Sequence, residues 1–296
     1  MSKSGFVTII GRPSSGKSTL LNTLCGEKVS ITSSVPQTTR NKIRGIVNDP
    51  RGQLVFLDTP GYHRSERKFN LYLRDLAEST LQESDAVLYV ADLSRAPGAE
   101  ENDVLALLEA TALPKLCALN KVDLPRTFEQ SYRELLTEKS AATPLFVISA
   151  LSGQGTGALL DALFAAAPEG EPFYDADYYT DQAPEFRIAE IIREKAIART
   201  QQEVPHALYV EIADMEMREG ATEEDRVLWV RAFLNVERDS QKGILVGKAG
   251  AQIRDIRLEA QRELNQIFPY RIHLDLRVKV QHKWRTRDPL LRRLLK

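Results

Sequence analysis

Apolar positions in the first half of the chain fall in short dense runs separated by longer amphipathic stretches. The runs at 6–10 (FVTII), 86–91 (AVLYVA), 115–119 (KLCAL) and 144–148 (PLFVI) are short and mostly apolar without alternation, which predicts strands buried on both faces. Residues 43–48 and 53–57 predict two further strands, joined as an antiparallel hairpin by the turn Asp49-Pro50-Arg51-Gly52. Helical spacing predicts helices near 17–25, 66–82, 99–111 and 128–139, and a last one at 155–165. Six strands alternating with helices predict an α/β unit built on a mostly parallel sheet, with helices on both faces.

This pattern stops near Pro168. Residues 168–184 (PEGEPFYDADYYTDQAP) combine Pro168, Pro172 and Pro184 with acids and four aromatic residues. The stretch reads as an interdomain linker, or as a loop docked on the first domain through Tyr178 and Tyr179. From Glu185 the pattern restarts with an amphipathic helix at 185–200, whose apolar face holds Phe186, Ile188, Ala189, Ile191, Ile192, Ala196 and Ile197. Strands at 207–214 and 227–238 flank a charged tip at 215–226; a helix pair centred on Gly247–Gly250 follows, then a strand at 271–280. The order helix, strand, strand, helix, helix, strand predicts an α+β module. The expected division is a first domain over 1–167, a linker over 168–184 and a second domain over 185–296.

Charge changes the picture of the second domain. The net charge is only -1, yet residues 242–296 hold 14 Lys/Arg against 5 Asp/Glu, while 1–241 hold 26 against 36. A basic end on a near-neutral chain suggests a polyanion as partner, nucleic acid or anionic lipid, against the plainer reading of a solvated basic surface. Cys25 and Cys117 are far apart, and no Cys/His group has metal-site spacing, which suits a reducing compartment. No apolar run is long enough for a membrane span or a signal peptide, so the expected location is the cytoplasm.

The candidate chemistry sits where the predicted strands end. Gly11-Arg12-Pro13-Ser14-Ser15-Gly16-Lys17-Ser18, with Thr19 next, matches GxxxxGK[ST] between a strand and a helix. In that setting backbone N–H groups converge on phosphates, Lys17 reaches the β- and γ-phosphates and Ser18 ligates Mg²⁺. Asp58-Thr59-Pro60-Gly61 follows the strand 53–57: Asp58 can hold the ion, and Gly61 can offer its N–H to a γ-phosphate, with Tyr62 next in line. Asn120-Lys121-Val122-Asp123 ends another strand. The two carboxylate oxygens of Asp123 match the N1–H and N2–H₂ donors of guanine, which adenine lacks, so they select GTP over ATP. Lys121 can lay its stem over the base, and Asn120 can brace the phosphate loop. Ser149-Ala150-Leu151 ends the last strand, where a backbone N–H can meet guanine O6. Ligands of open α/β sheets bind at these carboxyl ends.

With GRPSSGKS, DTPG, NKVD and SAL in this order, the chain resembles the translation-factor-related GTPases. The stretch Pro36-Gln37-Thr38-Thr39-Arg40 resembles the first switch of the bacterial Era family. That resemblance implies that Thr39, with Thr38 as the adjacent candidate, closes on Mg²⁺ and the γ-phosphate. It implies a P-loop GTPase in which Lys17, Thr39 and Gly61 carry hydrolysis, and Ser18, Thr39 and Asp58 hold the metal. Many GTPases place Gln after the glycine of DxxG to orient water; here Tyr62 stands there, which cannot orient water as a Gln amide does, and His63 is a candidate for that role. Where the family pattern reads GRPNVGKS this chain has Ser14. Related GTPases use that Asn near a bound potassium ion, so the resemblance leaves a potassium requirement open.

Gly247-Lys248-Ala249-Gly250 matches the GXXG loop with which KH domains clamp a nucleic-acid backbone. Two glycines three apart are also a common structural turn; the surrounding elements and the basic tail favour the clamp. The element order resembles a type II KH domain, and Val278-Lys279-Val280-Gln281-His282-Lys283-Trp284 resembles the C-terminal end of the Era family. The resemblance covers essentially the whole chain. It implies binding of the 3′ end region of 16S ribosomal RNA, a role in 30S subunit maturation, action as a monomer and peripheral association with the membrane. The tail 283–296 (KWRTRDPLLRRLLK) could meet RNA, meet a membrane surface or pack on the second domain's sheet. A membrane-surface switch controlled by GTP is the alternative reading.

Overall fold

The computed structural model describes residues 2–33, 35–36, 38–61, 68–125, 127–140, 143–220 and 226–294. They form two compact units, Met1–Asp181 together with Arg292–Lys296, and Gln182–Leu291.

The first unit alternates strands and helices: β1 Lys3–Ile10, α1 Lys17–Cys25, β2 Ile43–Asp49, β3 Gly52–Asp58, α2 Lys68–Leu81, β4 Ala86–Asp92, α3 Ala99–Glu109, β5 Lys115–Asn120, α4 Glu129–Ser140, β6 Leu145–Val147 and α5 Thr156–Ala166. The six strands form one sheet in the order β2-β3-β1-β4-β5-β6. All neighbours are parallel except β2 and β3, the hairpin expected from the Asp49–Gly52 turn. The central strands are the most buried: every residue of β4 and the whole of 54–57 are shielded from water, while β6 is half-buried. Tyr89, Cys117, Leu119 and Tyr132 join Val104, Leu105 and Leu108 in the core between α3, α4 and the sheet. Burial pushes the Cys25 thiol up to about 12 and the Cys117 thiol higher still, so neither behaves as a nucleophile.

The Pro-rich stretch beyond α5 is tied to this unit as far as Asp181. Ile46 N–H donates to Tyr179 O at 2.9 Å, and Thr180 Oγ1 donates to Arg44 O at 2.8 Å. Asn48 Nδ2 reaches Ala176 O and Tyr178 O, and the Gln53 amide joins Phe173 and Tyr174. Phe6 and Phe173 stack with centroids 4.6 Å apart. The segment therefore covers the outer edge of β2, which would otherwise present unpaired backbone groups.

The second unit contains α6 Pro184–Ala198, α7 Val204–Ala207, β7 Tyr209–Arg218, β8 Val227–Val236, α8 Asp239–Val246, α9 Ala251–Ile267, β9 Arg271–Val280 and α10 Asp288–Leu294, the last running past Leu291. Its sheet has the order β7-β8-β9, with β7 antiparallel and β9 parallel to β8. Leu228, Val230, Ala232 and Leu234 are buried at alternate positions of β8 as the period-two pattern requires, and Ile188, Ile192, Ile256 and Leu264 of the helices are buried too. β7 runs four residues beyond the expected strand, because Met215 and Met217 pair with Val230 and Leu228 across a register shift near Ile212. The edge of β9 is capped by two amides of α9: Ile272 N–H donates to Asn265 Oδ1 at 2.7 Å and Leu274 N–H to Gln261 Oε1 at 3.1 Å. The tail packs rather than projecting. Trp284 is 1 % exposed, stacks on Tyr209 and donates from Nε1 to Ala207 O at 2.7 Å, and Leu291 is fully buried.

Candidate functional site

The phosphate loop bridges β1 and α1, and its side chains knit it to neighbouring loops. Arg12 is buried; its guanidinium donates to Asp92 O, Ala96 O and Arg95 O at 3.1–3.4 Å and lies 3.5 Å from the buried carboxylate of Glu101. Lys17 Nζ lies against the loop's own carbonyls, 3.1 Å from Gly11 O and 3.0 Å from Arg12 O. Burial lowers its pKa to about 8, against the pull of Asp58, Glu101 and Glu100 toward the charged form. Ser14 holds a left-handed backbone, φ 61°, beside Pro13 and Ser15, and its carbonyl accepts from Lys121 Nζ at 2.9 Å.

The oxygens suited to a divalent cation converge on Asp58 at the end of β3. Ser18 Oγ donates to Asp58 Oδ2 at 2.6 Å and lies 2.9 Å from Thr39 Oγ1, which is itself 3.5 Å from the same carboxylate oxygen. Of the two threonines, Thr38 donates instead to Val35 O at 2.6 Å. Asp58 Oδ1 is buried without a hydrogen-bond partner. Burial raises the Asp58 pKa, opposed by Lys17 and by the hydroxyls of Ser18, Ser30 and Thr39. An all-oxygen donor set with an unsatisfied carboxylate oxygen fits Mg²⁺, a hard cation that takes one or two carboxylates and hydroxyls beside phosphate. Thr59 is buried and donates to Ile9 O at 2.9 Å, and Pro60 is buried beside it. Gly61 lies against the phosphate loop so closely that a Cβ there would sit 2.6 Å from Pro13 Cα. Tyr62 and His63 lie outside the described residues.

The base-reading elements meet at the ends of β5 and β6. Asn120 Nδ2 donates to Ser15 O at 2.9 Å, and Asn120 Oδ1 accepts from Ala150 N–H at 2.8 Å, so one amide ties the phosphate loop to the Ser149–Leu151 loop. Ser149 Oγ donates to Asp123 Oδ1 at 2.5 Å, orienting that carboxylate. Val122 N–H donates to Ile148 O, and Leu151 is 77 % exposed at the rim. Lys121, with φ 73°, spans from Ser14 O to Asp92 Oδ2, the latter at 2.8 Å.

A cavity of about 360 Å³ is lined by Gly16, Lys17, Ser18, Thr19, Thr39, Gly61 and Lys121, among others. Sequence reasoning missed Asp92, Ser94 and Arg95 on its wall. Asp92 accepts from Lys121, Ser94 and Arg95; burial works against ionisation, but Lys121 and Ser94 hold its pKa below the ordinary value. Its position at the end of a buried parallel strand was the available signal.

In the second unit α8 and α9 meet at Gly247–Gly250, a turn of 3₁₀ helix. Gly247 (φ 71°) needs its missing side chain, since a Cβ would meet Gln252 Cβ at 2.7 Å, and Gly250 is left-handed at φ 76°. Ala249, between them, is also left-handed at φ 52°. Lys248 and Ala249 are exposed, as are the apolar side chains of Ile244 on α8 and Leu258 on α9. Gly247 N–H already donates to Gly243 O and Gly250 N–H to Gly247 O, so what the turn presents is the cation of Lys248 and the exposed Ala249 beside it.

These two units define a P-loop GTPase followed by a KH domain. The family profile described as "50S ribosome-binding GTPase" matches residues 6–121, and the KH domain profile matches 203–285. GTPase Era of Treponema denticola is 50 % identical over 98 % of this chain and 99 % of its own. GTPase Era of Borreliella afzelii is 43 % identical over 99 % of both. Among solved structures, an Aquifex aeolicus Era variant bound to GDP·AlF4⁻ superposes with a TM-score of 0.92 at 32 % identity, covering 98 % of each chain. A structure of Era in complex with MgGDPNP and nucleotides 1506–1542 of 16S ribosomal RNA also gives 0.92 at 32 % identity, covering 99 % of this chain and 98 % of that one. The chain belongs to the GTPase Era family; it is a GTPase with an RNA-binding KH domain.

Proposed function

We propose that the protein is a GTP-controlled factor that binds the 3′ end region of 16S ribosomal RNA during assembly of the 30S subunit, with separable nucleotide and RNA units. The observation that carries this reading is the pairing of a braced guanine-nucleotide pocket with an exposed GXXG turn in one chain. The complex of the similar Era with nucleotides 1506–1542 supports the choice of RNA.

In this reading Asp123, oriented by Ser149, accepts the two guanine donors, and Lys121 covers the base with its head held by Asp92 and Ser14. The Ala150 N–H already belongs to Asn120, so the exposed end of the loop at Leu151 is the part open to O6. Lys17 leaves the carbonyls of Gly11 and Arg12 to meet the phosphates, and Gly61 offers its N–H to the γ-phosphate. Ser18, Thr39 and Asp58 would hold Mg²⁺, which neutralises charge between the β- and γ-phosphates when bound. Turnover then rests on Lys17, Thr39 and backbone donors that stabilise developing charge.

Gly247, Lys248, Ala249 and Gly250 clamp the RNA backbone, with Ile244 and Leu258 as apolar support. The protein acts as a monomer in the cytoplasm. At a membrane the contact falls to exposed cations such as Arg292 and Arg293, because Trp284 and Leu291 are buried. Among the described residues no helix is long and apolar enough to cross a membrane. Fluorescence anisotropy with an RNA of the 16S 3′ end tests the reading: tight, salt-sensitive binding that differs between GDP and GDPNP is expected. Equal affinity for an unrelated RNA of the same length refutes it.

A further inference from the structure

Asp58 Oδ2 accepts from three hydroxyls, and they are not equivalent. Ser18 and Thr39 are the two residues proposed to hold Mg²⁺, and a hydroxyl that turns its oxygen toward the ion re-aims its bond to Asp58. The third, Ser30 Oγ, donates at 3.0 Å, and Ser30 is 3 % exposed. Ser30 is fixed from the other side by Asn22, in the middle of α1. Asn22 Oδ1 accepts from Val29 N–H at 2.9 Å and Ser30 N–H at 2.8 Å, while its Nδ2 donates to Ser30 O at 2.8 Å. Val29 and Ile31 on either side are buried. One amide thus satisfies three backbone groups of a loop that has no secondary structure of its own. It sits on the helix whose first turn carries Lys17 and Ser18.

We infer that Asn22 and Ser30 are positioning residues for the metal side of the nucleotide site: they hold the Asp58 carboxylate in place when Ser18 and Thr39 engage Mg²⁺. This rests on the proposed Mg²⁺ assignment of those residues. The buried Asp58 carboxylate then keeps one fixed hydrogen bond, and Oδ1, which has no partner, stays aimed by it. Neither Asn22 nor Ser30 touches nucleotide in this scheme. The brace also joins α1 to the chain leading into Thr39, so the start of the first switch stays anchored at Ser30.

The test is the release of N-methylanthraniloyl-GDPNP from the full chain as free Mg²⁺ is varied. In the parent, Mg²⁺ is expected to slow release. Ser30→Ala is expected to raise the Mg²⁺ concentration needed for half of that slowing about tenfold, the size of one hydrogen bond to a charged group, with release in EDTA unchanged. Asn22→Ala is expected to act in the same direction, and the double variant to be no worse than the larger single effect, because both act through one hydroxyl. Ser30→Ala with a parental Mg²⁺ midpoint, or with faster release in EDTA and the same midpoint, overturns the inference and leaves Ser30 a packing residue. Asp58→Ala separates the two levels. If it too keeps the parental midpoint, the metal assignment itself fails and the inference with it; if it abolishes the Mg²⁺ effect while Ser30→Ala does not shift the midpoint, only the inference fails.

Discussion

Replacing Lys17 by Met in nucleotide-stripped protein is expected to stabilise the first unit at neutral pH while destroying its activity. Lys17 is 6 % exposed, and burial brings its pKa from 10.5 to about 8. At roughly 1.4 kcal/mol per unit, that shift represents on the order of 3 kcal/mol of disfavoured charge. Because the folded-state pKa is depressed, the cost is fully present below about pH 8, where both states are protonated. Between about 8 and 10.5 the unfolded chain holds a proton that the folded chain has released, so parental stability rises with pH in that window and levels off above it. Lys17→Met lacks this titration. The stability difference should therefore move toward the parent by up to about 3 kcal/mol across the window. At pH 7 the gain from Met falls short of that figure, because the carbonyls of Gly11 and Arg12 lose a donor and Asp58 loses a neighbouring cation. Calorimetry of both proteins from pH 7 to 10.5 provides the assay, following the transition that added GDP raises in the parent. Other titrating groups cancel in the difference. A difference that stays flat across the window would show that water reaches the ammonium, and the reasoning from burial would be wrong.

Three further outcomes follow from the geometry. Asp123→Asn removes the carboxylate that Ser149 orients, and should weaken GDP by roughly a hundredfold while shifting preference toward XDP, as read by competitive titration. Lys248→Asp with Ala249→Asp keeps both glycines, and aspartate tolerates the left-handed backbone at position 249; RNA affinity should fall at least about tenfold and its salt slope by about one, with GDP binding untouched. Trp284→Ala removes a buried indole and its bond to Ala207 O, and should lower the stability of the second unit by about 3–5 kcal/mol in urea unfolding, with GDP affinity unchanged.

The first unit was readable because its central strands are buried on both faces: 86–91 and 54–57 are unbroken apolar runs, and the phosphate and base loops fall at strand ends. The nucleotide motifs were equally visible, since phosphate and base chemistry constrain short contiguous segments. What escaped the sequence depends on contacts between distant positions. β7 continues to Arg218 because Met215 and Met217 find partners on β8, although Glu216 and Arg218 give the segment the look of a charged tip. Trp284 lies among basic residues, and nothing local says that its ring closes over Tyr209. Asn22 and Ser30 are ordinary polar residues until the fold places one beside the other and both near Asp58. The docked segment 172–181 was only half legible: its aromatic residues suggested packing, but its bonds to Arg44, Ile46, Asn48 and Gln53 follow from β2 being the last strand of the sheet.

The two α9 amides on β9 bear on how copies of this protein behave when crowded on one long polyanion. RNA concentrates a binding protein along its length, and a sheet with an open parallel edge would then offer each copy a template for its neighbour's backbone. Asn265 and Gln261 occupy the N–H groups of Ile272 and Leu274 from within the same chain, and the segment ending at Asp181 does the same for β2. Where neighbours are held close by a shared strand of RNA, these backbone groups of β9 and β2 are already taken and do not pair with another copy.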